Sequence, residues 1–184
     1  GKNYLRQASG YKKGMKFNYA PNWADDLDLN SGFVTPRKTK RVNFTFAGNI
    51  GKVQNLEKII DAFCLLSDGY QEKSQLNIIG DGSNLINLKK LSNNNPNIIF
   101  HGKQDRDDMT EFYRFSDFLI VSLIDKPIFS ATVPAKLQTY IAAKKPILAI
   151  IKGDSADIVN DNNLGISADP ANVTLIKELF QKCI

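Results

Sequence analysis

From residue 42 onward the apolar positions of this chain follow two alternating patterns. Short runs at 42–46, 76–79, 97–100, 118–123, 147–151 and 165–168 are apolar throughout or alternate, which predicts six strands. Between them apolar residues recur at helical spacing: Leu56, Ile59, Ile60, Phe63 and Leu66, then Leu85, Leu88 and Leu91, then Met109, Phe112, Tyr113 and Phe115. A short helix over 155–159 and a last one over 170–183 complete the series. Strands with no polar side, separated by amphipathic helices, require a parallel sheet covered on both faces. The predicted fold is therefore a doubly wound, Rossmann-like α/β domain.

The segment 129–150 organises the rest. Val133, Leu137, Tyr140 and Ile141 have helical spacing, Ser130 and Thr132 are capping residue types, and Pro134 suits a first turn, which predicts a helix from near Val133. Lys144 and Lys145 favour its C-terminal end, and Pro146 stops it before the next strand. Such a helix aims four free backbone N–H groups and a positive dipole end at whatever lies beside residues 131–134. That is an arrangement suited to an anion.

The beginning of the chain reads differently. Residues 15–20 alternate as a strand would, 22–26 read as a turn or short helix, and 30–40 have the Ser, Gly, Pro and Lys content of a loop. We expect a lead-in and connector over 1–40 and one Rossmann-like domain over 41–184. A chain of 184 residues with 42% hydrophobic content can bury one good core. No long apolar run or leader pattern is present, so a cytoplasmic protein is expected. Cys64 and Cys183 lack metal-ligand spacing and read as two unpaired thiols.

The net charge of +5 is uneven: residues 1–41 hold nine Lys or Arg against three Asp, and residues 42–184 hold fifteen against sixteen acids. The near-neutral domain lacks the basic, aromatic-studded face that nucleic acid requires, so no nucleic-acid partner is expected. The basic N-terminal stretch is either a solvated segment or a peripheral contact with an acidic lipid surface, at the inner face of the membrane.

In doubly wound sheets ligands bind at the carboxyl ends of the strands. Four features fall there: 48–51, 80–82, 101–104 and 124–134. Glycines after strands let a backbone approach a phosphate, and they also serve simply to turn the chain. The dinucleotide fingerprint and the phosphate loop are both absent. His101, the only histidine, has no zinc or nucleophile partner spacing and reads first as structural. Asp105, Asp107, Asp108 and Glu111 open a helix, where they favour its dipole. A receiver domain would need acidic strand ends where this chain has Gly-Asn-Ile-Gly and His-Gly. A nucleotide-sugar epimerase would need Tyr-x-x-x-Lys, and Tyr140 has its lysine one residue too far on.

Taken in order, FAGNIGKVQNLEKIIDAF, LNIIGDG, NIIFHGK, FYRFSDFLIV and VPAKLQTYIAAKKPILA make the chain resemble the C-terminal, donor-binding half of GT-B retaining glycosyltransferases of the family-four group. The resemblance covers residues 42–172, and residues 18–23 look like the family's interdomain lead-in. It implies a glycosyltransferase with a nucleotide-sugar substrate, a UDP-sugar in preference to a GDP-sugar, and no cofactor or essential metal. Within the family, Gly-Asn-Ile-Gly with a following Gln, and Pro-x-Lys leading the helix, look like a bacterial subgroup found in capsule, O-antigen and colanic-acid synthesis. The acceptor, a glycan or lipid-linked sugar, would be held by an N-terminal domain for which 184 residues leave no room, so the chain is expected to be a fragment.

The resemblance also implies a residue set. Asn49 and Gln54 stand where the family places an Arg and a Lys on the donor diphosphate, and Ala131 and Thr139 stand where it places paired glutamates. Diphosphate binding would then rest on backbone groups at Val133, Pro134 and Ala135, on Lys136, and on the amides of Asn49 and Gln54. Gly48, Gly51 and Gly80 would shape the floor, Gly102 and Lys103 with Gln104 would meet the base, and Thr139 would face the sugar or ribose. On the residues alone Lys136 also reads as a solvated helix residue. The alternative reading of the whole is a noncatalytic α/β nucleotide-binding module.

Overall fold

The structure is a computed structural model that describes residues 40–184. The expected strand at 15–20, the turn at 22–26, the lead-in at 18–23 and nearly all of the loop at 30–40 lie outside the described residues. The remainder forms six strands: β1 Val42–Ala47, β2 Ser74–Ile79, β3 Ile98–Gly102, β4 Phe118–Ser122, β5 Ile147–Ile150 and β6 Gly165–Ala168. Every pairing is parallel, in the order β3-β2-β1-β4-β5-β6. Apolar strands joined by helical crossovers can form no other kind of sheet without burying polar faces.

The helices are α1 Leu56–Cys64, α2 Asp68–Gln71, α3 Leu85–Leu91, α4 Met109–Phe115, α5 Pro127–Ser130, α6 Ala135–Ala142, α7 Asp154–Asp161 and α8 Val173–Cys183. They cover the sheet on both sides. On one face Phe44, Phe46, Leu76 and Ile78 pack against Leu56, Ile59, Ile60 and Phe63 of α1 and Phe180 of α8. On the other, Ala47, Leu119, Val121 and Ala149 pack against Tyr113 of α4, Leu137 and Tyr140 of α6 and Val159 of α7. The alternation of Phe44 and Phe46 with Thr45 and Ala47 is what divides β1 between the two cores.

Three helix expectations change. Leu91 is 37% exposed, so only Leu88 of the α3 stripe is fully buried. The last helix begins at Val173 because Asn172 caps it, its Oδ1 accepting from the Leu175 N–H at 3.1 Å. The single turns α2 and α5 are too short to leave a periodic trace in sequence. Cys64 and Cys183 are free, partly buried thiols, and burial raises both above the ordinary cysteine range.

No helix among the described residues is long and apolar enough to cross a membrane.

Candidate functional site

The sheet changes direction between β1 and β4. The chain runs outward from β1 to β3, then returns to lay β4 on the other side of β1. The β1–β4 ladder contains only Phe44 with Phe118 and Thr45 with Leu119, whereas β1 and β2 stay paired through Ala47. The last residues of β1 therefore lose their neighbour on one side, and a crevice opens there.

Tyr140 of α6 fills the base of that gap. Its hydroxyl accepts from the Ala47 N–H at 3.0 Å and donates to the Ala47 carbonyl at 3.3 Å, and the ring is fully buried edge-on against Tyr113. Burial raises the Tyr140 phenol well above its ordinary range, so the hydroxyl keeps its proton and can serve both groups. Tyr140→Phe leaves a buried N–H and C=O unpaired, and it is expected to lower stability by about 1–3 kcal/mol, read as a fall in urea midpoint at unchanged m-value.

Above Tyr140, one helical turn towards the N-terminus, stands Lys136. Together with Thr139 it forms one wall of a cavity of about 550 Å³, whose other walls are Ala47, Gly48 and Asn49 after β1, Ile79, Gly80 and Asp81 after β2, Lys103 and Gln104 after β3, and Met109 and Tyr113 of α4. Ala135 completes the rim. The Lys136 side chain reaches across the end of β1 until Nζ lies 3.7 Å from the centroid of the Phe46 ring. Gly48 permits this, because a Cβ there would sit 3.2 Å from Nζ, and its φ of +132° suits no other residue well. Nζ is buried without a hydrogen-bond partner among the described residues, and burial pushes the amine down to about 7.

The start of α6 differs from the sequence expectation. Pro134 is the N-cap residue, with ψ of 140°, and the helix begins at Ala135. Pro134 holds Val133 out of the helical region and is itself extended, so the first turn comes after it. Ser130 ends α5, and the Thr132 hydroxyl donates to the Ile128 carbonyl at 2.6 Å, so neither caps α6. The Leu137 N–H bonds to the Pro134 carbonyl at 3.0 Å. The free donors are thus the Ala135 and Lys136 N–H groups, with no side chain among the described residues competing for them. The approach is held from α7, where the buried Ser155 hydroxyl donates to the Thr132 carbonyl at 3.0 Å.

Of the residues expected at the site, the cavity gathers Gly48, Asn49, Gly80, Lys103, Lys136 and Thr139. It does not gather Gly51, Gln54, Gly102, Val133 or Pro134. Gln54 lies in a single 3-10 turn, Lys52–Gln54, and its Oε1 accepts from the Gly51 N–H at 3.0 Å, which keeps both within their own loop. Gly102 contributes through its backbone, its carbonyl accepting from the Gly80 N–H at 2.8 Å. Met109 and Tyr113 read in sequence as packing positions only, and Asp81 was marked only by the glycines on either side. His101 lies outside the cavity, its Nε2 2.9 Å from Asn77 Oδ1 and its ring against Phe112. Burial lowers its affinity for a proton.

A doubly wound parallel sheet with its crevice beside an uncapped helix N-terminus and a free amine defines a class of domain suited to phosphorylated ligands. The particular family follows from comparison. The family model described as "Glycosyl transferases group 1" matches residues 30–184, and the chain belongs to that family, whose domains have the GT-B architecture. It is 27% identical over 179 residues to the probable glycosyltransferase WbjE of Pseudomonas aeruginosa, covering 89% of this chain and 43% of WbjE. The fold matches TarM of S. aureus, solved with fondaparinux, alpha-GlcNAc-glycerol and UDP, with a TM-score of 0.76 at 11% identity, covering 100% of this chain and 35% of TarM. It also matches the C-terminal domain of the group 1 protein LpcC from Francisella tularensis, with a TM-score of 0.61 at 18% identity, covering 87% of this chain and 83% of that domain. The chain spans less than half the length of WbjE and TarM.

Proposed function

We propose that this chain is the donor-binding half of a glycosyltransferase that moves a sugar from a nucleoside diphosphate to a glycan or lipid-linked acceptor, with retention at the anomeric carbon, in surface polysaccharide synthesis. The observation that carries the reading is the cavity at the switch point, where the Ala135 and Lys136 N–H groups and the Lys136 amine have no partner among the described residues. A diphosphate in that cavity meets the positive end of α6 and the desolvated Lys136 amine, whose interactions with it are stronger than they would be in water. As the leaving diphosphate gains charge, the same groups stabilise it without reorganising, because the Tyr140 bond to Ala47 already fixes α6 against β1. The nucleoside extends towards Lys103 and Gln104, the latter held by its Nε2 bond to the His101 carbonyl at 2.7 Å. The acceptor is bound by a partner domain within the additional length that the relatives possess. WbjE and TarM, and the UDP bound in TarM, support the choice of reaction and a UDP-sugar as donor.

Calorimetric titration with UDP and GDP is expected to give saturable binding between about 1 µM and 1 mM, roughly −8 to −4 kcal/mol, with UDP tighter. Absence of saturable binding of either nucleotide to folded protein contradicts the proposal. The second reading, a noncatalytic nucleotide-binding module, is favoured by the residues at the positions of the family's carboxylates, since Ala131 is buried and Thr139 carries only a hydroxyl. Donor consumption by the chain joined to its acceptor-binding half separates the two.

A further inference from the structure

The cavity's cationic group is buried in a place that disfavours a cation. Among the described residues Lys136 Nζ has no hydrogen-bond partner and no ion-pair partner, and it occupies the first turn of α6, where the helix dipole is positive. The surrounding elements do not compensate. The end of β1 presents Gly48 and Asn49, which are uncharged; the end of β2 presents Asp81, exposed and accepting from the Gly82 N–H; the end of β3 presents Lys103, a second cation; and α4 presents Tyr113. On α6 itself the neighbours are Thr139 and Tyr140. Burial raises both phenols, so neither tyrosine supplies a negative charge. The face of the Phe46 ring offsets part of the loss of water around an ammonium group. It does not replace a hydrogen-bond acceptor.

We propose that the empty site holds Lys136 as an uncharged amine, and that the cavity takes up one proton from solvent when a diphosphate binds. The proton is added to the Nζ lone pair, and the ligand's phosphate oxygens stay ionised and accept from the resulting ammonium group. The lowered affinity of the buried amine for a proton, with its midpoint at about 7, agrees with this geometry. This inference rests on the reading of the cavity as a diphosphate site. Its consequence is that affinity for a nucleoside diphosphate falls as pH rises above about 7, approaching tenfold per unit, while affinity for the bare nucleoside does not change.

The test is calorimetry of UDP binding at pH 8 in two buffers of different ionisation enthalpy, Tris and HEPES, on the chain as it stands. UDP is fully ionised at this pH, so any proton taken up enters the protein. The expected uptake is about 0.9 proton per UDP at pH 8, decreasing as pH is lowered through 7, where the amine is increasingly charged before the ligand arrives. Uridine should give none, and Lys136→Met, at saturating UDP, should abolish the uptake. Saturable UDP binding with no uptake at pH 8 overturns this inference and leaves the diphosphate site standing. Uptake that persists in Lys136→Met overturns it as well, by placing the proton on another group. No saturable UDP binding overturns the reading of the site and this inference with it.

Discussion

Lys136→Met is expected to weaken UDP binding by roughly 10- to 150-fold, about 1.5–3 kcal/mol, the range for a hydrogen bond to a charged group. Uridine should bind the variant as it binds the parent, because the amine faces phosphate and not the base. The same substitution is expected to stabilise the empty protein, and the sign follows from proton linkage. The folded amine titrates at about 7, against 10.5 for an ordinary lysine. Between those values the unfolded chain binds more protons than the folded one, so stability of the parent rises with pH through that window. Below about pH 7 the penalty for the buried charge is fully present. Methionine removes it while keeping the volume beside Phe46, for an expected gain at pH 6 on the order of 2–4 kcal/mol, or at least roughly 4 °C in Tm. At pH 9 the gain should be much smaller. Thermal unfolding at both pH values checks this. A variant with equal Tm differences at pH 6 and pH 9 would show that Lys136 is not a buried amine.

The largest effect on folding is expected at Gly80. Its φ is +131°, and a Cβ there would lie 1.9 Å from the Gly48 carbonyl oxygen and 2.9 Å from the carbonyl carbon. Both neighbours are backbone, so no rotamer change relieves the contact. Gly48 cannot retreat, because its N–H bonds to the Ile79 carbonyl at 2.9 Å. Gly80→Ala therefore combines overpacking with a backbone region that L residues rarely adopt, for an expected loss of roughly 2–5 kcal/mol. Gly69→Ala is the matched control: no atom lies within 4 Å of its Cβ position, and it sits in the short helix α2. It should be neutral or slightly stabilising. Urea unfolding of both variants distinguishes the two positions, and a Gly80→Ala midpoint equal to that of Gly69→Ala contradicts the close approach of the two strand ends.

These two positions differ in how far the sequence announces them. Gly80 stands after an apolar run and before Asp81 and Gly82, so its place at a strand end was legible, though not the backbone it touches. The fold as a whole was legible because the four inner strands are largely buried on both faces and the helices between them are amphipathic. Local geometry was harder to read. Pro134 looks like a first-turn residue, yet its extended backbone delays the start of α6 from near Val133 to Ala135, with Ser130 ending α5 and the Thr132 hydroxyl bonded to the Ile128 carbonyl. Gln54 looks like a ligand amide, and its own 3-10 turn claims it for Gly51. Lys136 shows the limit most clearly. Its helix and its exposure to an anion could be argued from sequence, but the burial of its amine over Phe46 depends on a crossing of β1 and α6 that only the assembled sheet creates. The Tyr140 bond to Ala47 was hidden for the same reason, since helical spacing marks Tyr140 as core and says nothing of its hydroxyl.

The central claim is that the nucleotide lies in the cavity at the β1–β4 switch, with its phosphates at the start of α6. Amide chemical-shift mapping of the ¹⁵N-labelled chain during titration with UDP tests it directly. The account predicts saturable shifts at Gly48, Asn49, Gly80, Lys103, Ala135 and Lys136, with Ala135 and Lys136 unmoved by uridine. A second cavity of about 530 Å³ lies at the opposite end of the sheet, lined by Asp68, Gln71 and the asparagines that follow α3. Saturable shifts confined to those residues, with Ala135 and Lys136 unmoved by UDP, would contradict the account.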